Sequence, residues 1–408
     1  MERVERQLCN KPITLINCVG ARRVVKPIRR GYSVAIVLVL LAFGLAFASV
    51  PLAGAAGLRI QTIPVGTAPN ALAVNIQTGN IFVVDGGDNN VTDVSGATGQ
   101  QVANISVGLQ PSAIAVNSKT GLVYVTNSAY DNMSVIDGAT DKVIANVSVG
   151  SSPAAVAVDP NNGEVYVVNS GDSTLTGYNG STYKQITNIT VGTTPNAVAI
   201  DPASETIFVA NSMDNTVSVI SKGAVVDNIT VGNDPDALAY NPTNGQLYVA
   251  NFADNTVYAY DAVTLKSTAN ITTVQSLPGA MAVDQNGYVW IANTGSDSVS
   301  IISGTTNNVV QNVSLGLAGT VDPLGIAANP TNGKVYVADS SPNSLSVISG
   351  FTGGKGSSSS TSSSASSATT SSTTAVPEFP VQLGFTAFVA GLVVVAYVFG
   401  RRANRSRP

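Results

Sequence analysis

Through the middle of the chain, hydrophobic residues come in runs of about five, and the polar residues between them are turn formers. The stretch from Val149 reads VGSSPAAVAVDPNNGEVYVVNSGDSTLTGYNGSTYKQITNIT. It holds four such runs, AAVAV, EVYVV, TLTGY and QITNIT, separated by Asn, Gly, Asp and Pro. Short β-branched and aromatic runs bounded by those residues predict strands, here called a to d. Comparable stretches begin at Val65, Val107, Val149, Val191, Val231, Thr273 and Leu315, a period near 42. Pro69, Pro111, Pro153, Pro195, Pro235, Pro278 and Pro323 keep the phase. Four strands per unit, repeated seven times, predict an all-β protein: a seven-bladed β-propeller of four-stranded blades. Strand a then lies nearest the central channel and strand d at the rim. An open β-solenoid is the competing arrangement.

Ring closure leaves its own trace. The seventh unit stops after strand c, at LSVISG (Leu345–Gly350), and lacks a strand d. The missing piece stands before the first unit, where LRIQTIPVG (Leu58–Gly66) aligns with strand d and the Val-Gly that follows it elsewhere. The last blade is therefore expected to be closed by an N-terminal strand.

Several of these segments resemble a known repeat. VYVTNSAYDNMSVIDGATDKV (Val123–Val143) contains Tyr-Val-Thr-Asn itself, and PNAVAIDP and NTVSVI are similar to repeats of the YVTN-family β-propellers. The resemblance covers roughly residues 58–350. It implies a cell-surface propeller of the kind found in archaeal surface layers, and it implies no catalytic activity.

The flanks follow another pattern. Residues 1–31 form a basic segment, followed by YSVAIVLVLLAFGLAFASVPLAGAA over 32–56, uncharged and long enough to span a bilayer. It reads as a signal peptide or an uncleaved signal anchor. Residues 57–350 are the propeller, and 351–380 include the tract GSSSSTSSSASSATTSSTTA, which has nothing to bury and reads as a glycosylated stalk. VPEFP (Val376–Pro380) resembles the short Pro-Glu-Phe signals that precede C-terminal anchors in some archaeal surface proteins. A second apolar helix is expected over 381–400, tethering the chain to the membrane, with the basic tail 401–408 inside. Both ends place the propeller outside the cell, where other surface proteins or glycans are its natural partners.

Charge narrows the chemistry. Residues 57–350 carry seven Lys/Arg against 21 Asp/Glu, so a nucleic-acid partner is excluded by repulsion of phosphate. Histidine is absent, and both cysteines, Cys9 and Cys18, precede the first apolar segment. The commonest general base, metal ligand and disulfide framework are thereby missing from the propeller. Its only Arg is Arg59 and its only Glu residues are Glu164 and Glu205. No catalytic or cofactor-binding residue is assigned. A propeller hydrolase or lyase of the lactonase kind is the enzymatic alternative.

Two repeated polar features remain. Every strand b ends in a short amide or carboxylate: Asp85, Asn127, Asn169, Asn211, Asn251, Asn293 and Asp339. They read either as a ligand ring or as scaffold for the b–c turn. The face formed by the d–a and b–c loops collects eleven acids (Asp85, Asp88, Asp131, Asp172, Asp214, Asp234, Asp236, Asp254, Asp297, Asp322 and Asp339) and no Lys or Arg. Such a face attracts Ca²⁺ or a cationic partner, as in a cation-dependent adhesin, although no Asp-x-Asp-x-Asp cage is present. The second feature is nine Asn-x-Ser/Thr glycosylation triplets, at Asn90, Asn104, Asn132, Asn146, Asn179, Asn188, Asn228, Asn270 and Asn312. Asn104, Asn146, Asn188, Asn228, Asn270 and Asn312 share one phase, strand d, separated by 42, 42, 40, 42 and 42 residues. Alternation along a strand aims each Asn and its Ser/Thr to one side, with the Ile or Val between them aimed to the other.

Overall fold

The structure is a computed structural model that describes residues 57–353 apart from 273 and 318. The basic segment 1–31, the apolar stretches 32–56 and 381–400, the Ser/Thr tract and the tail lie outside the described residues. Among the described residues, no helix is long and apolar enough to cross a membrane.

The described chain forms seven antiparallel four-stranded sheets, each ordered a-b-c-d. Six blades are continuous in sequence; the first comprises Pro69–Val74, Ile81–Asp85, Asn90–Val94 and Gln101–Ser106. The seventh takes strands a to c from Pro323–Ala328, Val335–Asp339 and Ser344–Ser349. Its outermost strand is Arg59–Pro64, paired antiparallel from Arg59↔Ser349 to Pro64↔Ser344. The inner strands pack on one another in a closed cycle, the last against the first.

Each strand a opens on the phase-marking proline, opposite the residue that ends strand b: Pro69↔Asp85, Pro111↔Asn127, and so on to Pro323↔Asp339. A bulge follows at once in every blade, for example between Pro69 and Ala71. Proline has no N–H to give, so it suits an inner edge strand at a bulge. The residue before each proline (Ala68, Gln110, Ser152, Thr194, Asp234, Leu277 and Asp322) has φ between 49° and 54°. A left-handed non-glycine residue costs about 1 kcal/mol and persists only where its surroundings over-determine it. Here its carbonyl accepts the N–H of the residue after strand b, as from Gly86 to Ala68 at 3.0 Å and from Ser212 to Thr194 at 3.1 Å.

The core lies between blades. One cluster joins Phe82, Val84, Val91 and Ile105 of the first blade to Val123, Val125 and Ile136 of the second. Another joins Tyr124, Met133 and Val135 of the second to Val165, Val167 and Tyr178 of the third. Successive residues of strand b thus face opposite neighbours, which explains a continuous apolar run with no polar face. Strand d covers a neighbour on one side only, so it alternates: Lys142–Ser148 reads exposed, half-buried, exposed along its length.

Candidate functional site

The seven residues ending strand b are all buried, none more than 1% exposed. In the fourth blade the Gly192 N–H donates to Asn211 Oδ1 at 3.0 Å, and Asn211 Nδ2 donates to Thr216 Oγ1 at 3.1 Å and Ser218 Oγ at 2.9 Å. Asn169 and Asn251 likewise accept from Gly150 N at 3.1 Å and Gly232 N at 3.0 Å. The glycine is required there: a Cβ on Gly150, Gly192 or Gly232 would lie 2.5 Å from the Cγ of that asparagine. The repeated Val-Gly is therefore the socket of a buried amide.

The partner of that amide carries no motif of its own. It is a hydroxyl on strand c, seven residues on: Thr92, Ser134, Thr176, Ser218, Ser300 and Ser346, with Tyr258 the exception. The spacing recurs in six of seven units, and that regularity is the signal that would have found it.

Two blades carry a carboxyl in place of the amide, and the hydroxyl turns round to meet it. Thr92 Oγ1 donates to Asp85 Oδ2 at 2.5 Å, and Ser346 Oγ donates to Asp339 Oδ2 at 2.6 Å. Burial pushes both carboxyls up to about 6, against the pull of those hydroxyl bonds. In each, Oδ1 is buried without a hydrogen-bond partner.

The other acids of this face stand one to a loop and are used individually. Asp88, Asp172, Asp214 and Asp254 accept the backbone N–H of Thr67, Ser151, Thr193 and Asn233 at 2.6–2.7 Å. Asp131 accepts from Ser152 N at 2.8 Å. For Asp297, burial alone would raise the pKa, but loop N–H donors from Asp322 and Thr320 outweigh it and hold it low. Each such bond ties a b–c turn to a d–a loop. Among the described residues, no group of three or more His, Cys, Asp or Glu is placed to hold a metal ion.

The mouth of the channel on this face has a less regular set, at the residue after each strand-a proline. Asn70 Nδ2 donates to the Pro111 carbonyl at 2.9 Å and Ser112 Oγ to the Pro153 carbonyl at 2.7 Å, each reaching to the next blade. Asn196 Nδ2 donates to Asp236 Oδ1 at 2.8 Å. Asp236 is pushed up to about 6 by burial and by the nearby charge of Asp234. At the remaining positions stand Ala154, Gly279 and Leu324. Within the channel a cleft of about 530 Å³ is lined by Val198, Ile200, Leu238, Tyr240, Met281 and Val283, among others. A cleft of about 290 Å³ between the third and fourth blades brings together Asp159, Glu164, Glu205, Tyr166 and Lys222, with Tyr166 donating to Glu164 Oε2 at 2.6 Å.

The glycosylation triplets fall into two groups. Asn104, Asn146, Asn188, Asn228, Asn270 and Asn312 are exposed on strand d, while Ile105, Ile189, Ile229, Ile271 and Val313 between them are buried. Asn90 and Asn132 stand half-buried at the start of strand c, where Asn132 Oδ1 accepts from Asn127 Nδ2 at 2.7 Å. Asn179 is exposed in a c–d turn and accepts from Ser181 N and Thr182 N at 3.1 and 2.9 Å.

No family model matches the chain, and no curated protein matches it. Among solved structures it is similar to hydrazine synthase of Kuenenia stuttgartiensis, at 21% identity and a TM-score of 0.62 over 70% of this chain and 97% of that one. It is similar to a catalytically inactive His-to-Ala variant of virginiamycin B lyase from Staphylococcus aureus, solved with quinupristin, at 12% identity and a TM-score of 0.63 over 72% and 99% of the two chains. A streptogramin B lyase gives 12% identity and 0.62 over 72% and 97%. At these identities the likeness establishes the fold alone: a seven-bladed propeller with neighbours among propeller proteins.

Proposed function

We propose that this chain is a YVTN-type propeller displayed outside the cell on a membrane tether. In this reading it serves as a surface or surface-layer scaffold, or as a module that binds surface proteins or glycans, rather than as a catalyst. One observation carries it. On the d–a/b–c face Asn169, Asn211 and Asn251 and Asp172, Asp214 and Asp254 spend their hydrogen bonds on the propeller's own loops and strand-c hydroxyls. The partnerless Oδ1 atoms of Asp85, Asn127, Asn293 and Asp339 are buried away from any substrate. A face built of such groups presents a fixed outline and few unspent donors to a substrate. The sequence supplies the tether: a basic segment and apolar stretch before the propeller, and a Ser/Thr tract, apolar stretch and Arg-rich tail after it.

A lyase or hydrolase is the second reading, favoured by the Asn196–Asp236 pair at the channel mouth. Against it, the lyase neighbour is described as inactive once a histidine is replaced, and this chain contains no histidine. Protease treatment of intact cells of the native host tests the display. The propeller should be shed while the C-terminal tail stays protected; a propeller untouched until the cells are broken would refute it.

A further inference from the structure

We propose that the outward face of strand d is a built attachment site for N-linked sugar, with the asparagine nitrogen aimed outward from inside the blade and an aliphatic side chain placed to cover the first sugar. This inference rests on the extracellular reading above.

The orientation follows from one chain of hydrogen bonds. In the fourth blade it starts at the Gly192 backbone N–H, whose direction is unambiguous, and runs through Asn211 to Ser218. Ser218 Oγ accepts from Asn211, so its proton is free, and it donates to Asn228 Oδ1 at 2.8 Å. With Oδ1 fixed inward, the Asn228 nitrogen is the atom left for solvent. The outer steps recur at Asn146, which accepts from Ser134 at 2.9 Å, and at Asn312, which accepts from Ser300 at 2.7 Å. Each hydroxyl takes a 3.0 Å bond from Asn127 or Asn293, whose own Oδ1 is buried without a partner.

N-glycosylation replaces one Nδ2–H bond with an N–C1 bond to the reducing-end sugar of a lipid-pyrophosphate-linked oligosaccharide. The lipid pyrophosphate leaves with the electrons of its C1–O bond, and the displaced amide proton is released. The product keeps Oδ1 as an acceptor, so the relay is undisturbed.

Two residues before the asparagine, at a bulge where strand d has one residue more than strand c, stand Val102, Ile144, Ile186, Val226 and Val310. They are 46–61% exposed. Solvated strand faces favour polar residues, and this stripe sits on the outermost strand, where an open edge invites association. The C–H-rich face of a pyranose covers such a side chain, and the branched sugar beyond it blocks an approaching edge.

The test uses the full chain made in a secretory host that transfers N-glycans, with protease protection of microsomes reporting topology independently. Glycopeptide mapping should find Asn146, Asn228 and Asn312 modified and the half-buried Asn90 and Asn132 bare. A protected propeller bare at the three relay sites overturns this inference and leaves the display reading standing; a cytosolic propeller overturns both. For the covering residue, Thr230→Ala removes the fourth-blade triplet while keeping Asn228. Its glycosylated parent should lose a few degrees of Tm on that change, and the loss should shrink on a Val226→Thr background. Protein made without glycans should show neither effect. Equal losses on both backgrounds would overturn the covering role.

Discussion

Replacing Asp85 with asparagine gives the first blade the amide found in the five blades that have Asn at this position. Asp85 is fully buried, accepts the Thr92 hydroxyl at 2.5 Å and has an unpartnered Oδ1. Burial raises its carboxyl from 3.8 to about 6. A carboxyl whose folded value lies above its unfolded one favours the native state while protonated. That advantage is present in full below about 4 and is lost as pH rises through about 6. At about 1.4 kcal/mol per pH unit, ionised Asp85 therefore costs up to about 3 kcal/mol of stability at pH 8. Asp85→Asn removes the charge, offers Nδ2 to Thr92 and leaves that hydroxyl's proton free for Asn104, its cross-strand neighbour. Thermal unfolding followed by circular dichroism at pH 4.5 and pH 8 measures the effect. Little change is expected at the lower pH, and a gain of roughly 5 °C at the higher one for a domain of this size. A variant no more stable than its parent at pH 8, or one that gains equally at both, would refute the burial argument.

Asp339→Asn should behave in the same sense, since Asp339 is also pushed up to about 6 and has one unpartnered oxygen; the two gains should add at pH 8. Gly232→Ala drives a Cβ to 2.5 Å from Asn251 Cγ, and urea unfolding should show a loss of about 1–3 kcal/mol, the usual cost of overpacking. Asn211→Ala strands the Gly192 N–H and two hydroxyls, at about 1–3 kcal/mol for each buried group left unmet; a loss under 0.5 kcal/mol in the same assay would show that water replaces the amide. Substituting proline at Ile60 and Thr62 breaks the pairing of Arg59–Pro64 with Ser344–Ser349, and size-exclusion chromatography should then show association through the bared strand edge.

Much of the fold was legible because a propeller writes each structural demand seven times. The proline of strand a, the four-run unit and the strand displaced to Leu58–Gly66 needed only counting, and the last appears as the pairing Arg59↔Ser349 to Pro64↔Ser344. The side-chain alternation of strand d was legible for the same reason, with Ile229 buried between exposed Asn228 and Thr230. The site was less so. The seven residues ending strand b were visible as a ring, but whether they faced the channel or the blade depends on burial, which periodicity does not encode. The left-handed residues before proline were invisible, since Ala68, Gln110, Ser152 and Leu277 share no chemistry; backbone bonds hold them, and side chains do not.

Where the units disagree, the repeat itself becomes a probe. Asparagine ends strand b in five blades and aspartate in the two that flank the closure of the ring. That one-atom change reverses the strand-c hydroxyl: Ser218 hands its proton outward to Asn228, whereas Thr92 and Ser346 hand theirs inward. The first blade accordingly has its rim triplet at Asn104 without the inner relay, and the seventh has Thr62 where the others have asparagine. In the fifth blade Tyr258 replaces the hydroxyl residue directly opposite Asn270, and no such relay forms there either. In the third blade Asn169 meets Thr176 in place of serine, and Thr176 makes no bond to Asn188, so the relay forms where an inner asparagine is combined with a strand-c serine. A comparison of glycan occupancy at Asn104, Asn188 and Asn270 with that at Asn146, Asn228 and Asn312 reads this coupling within one molecule, each blade serving as control for its neighbour.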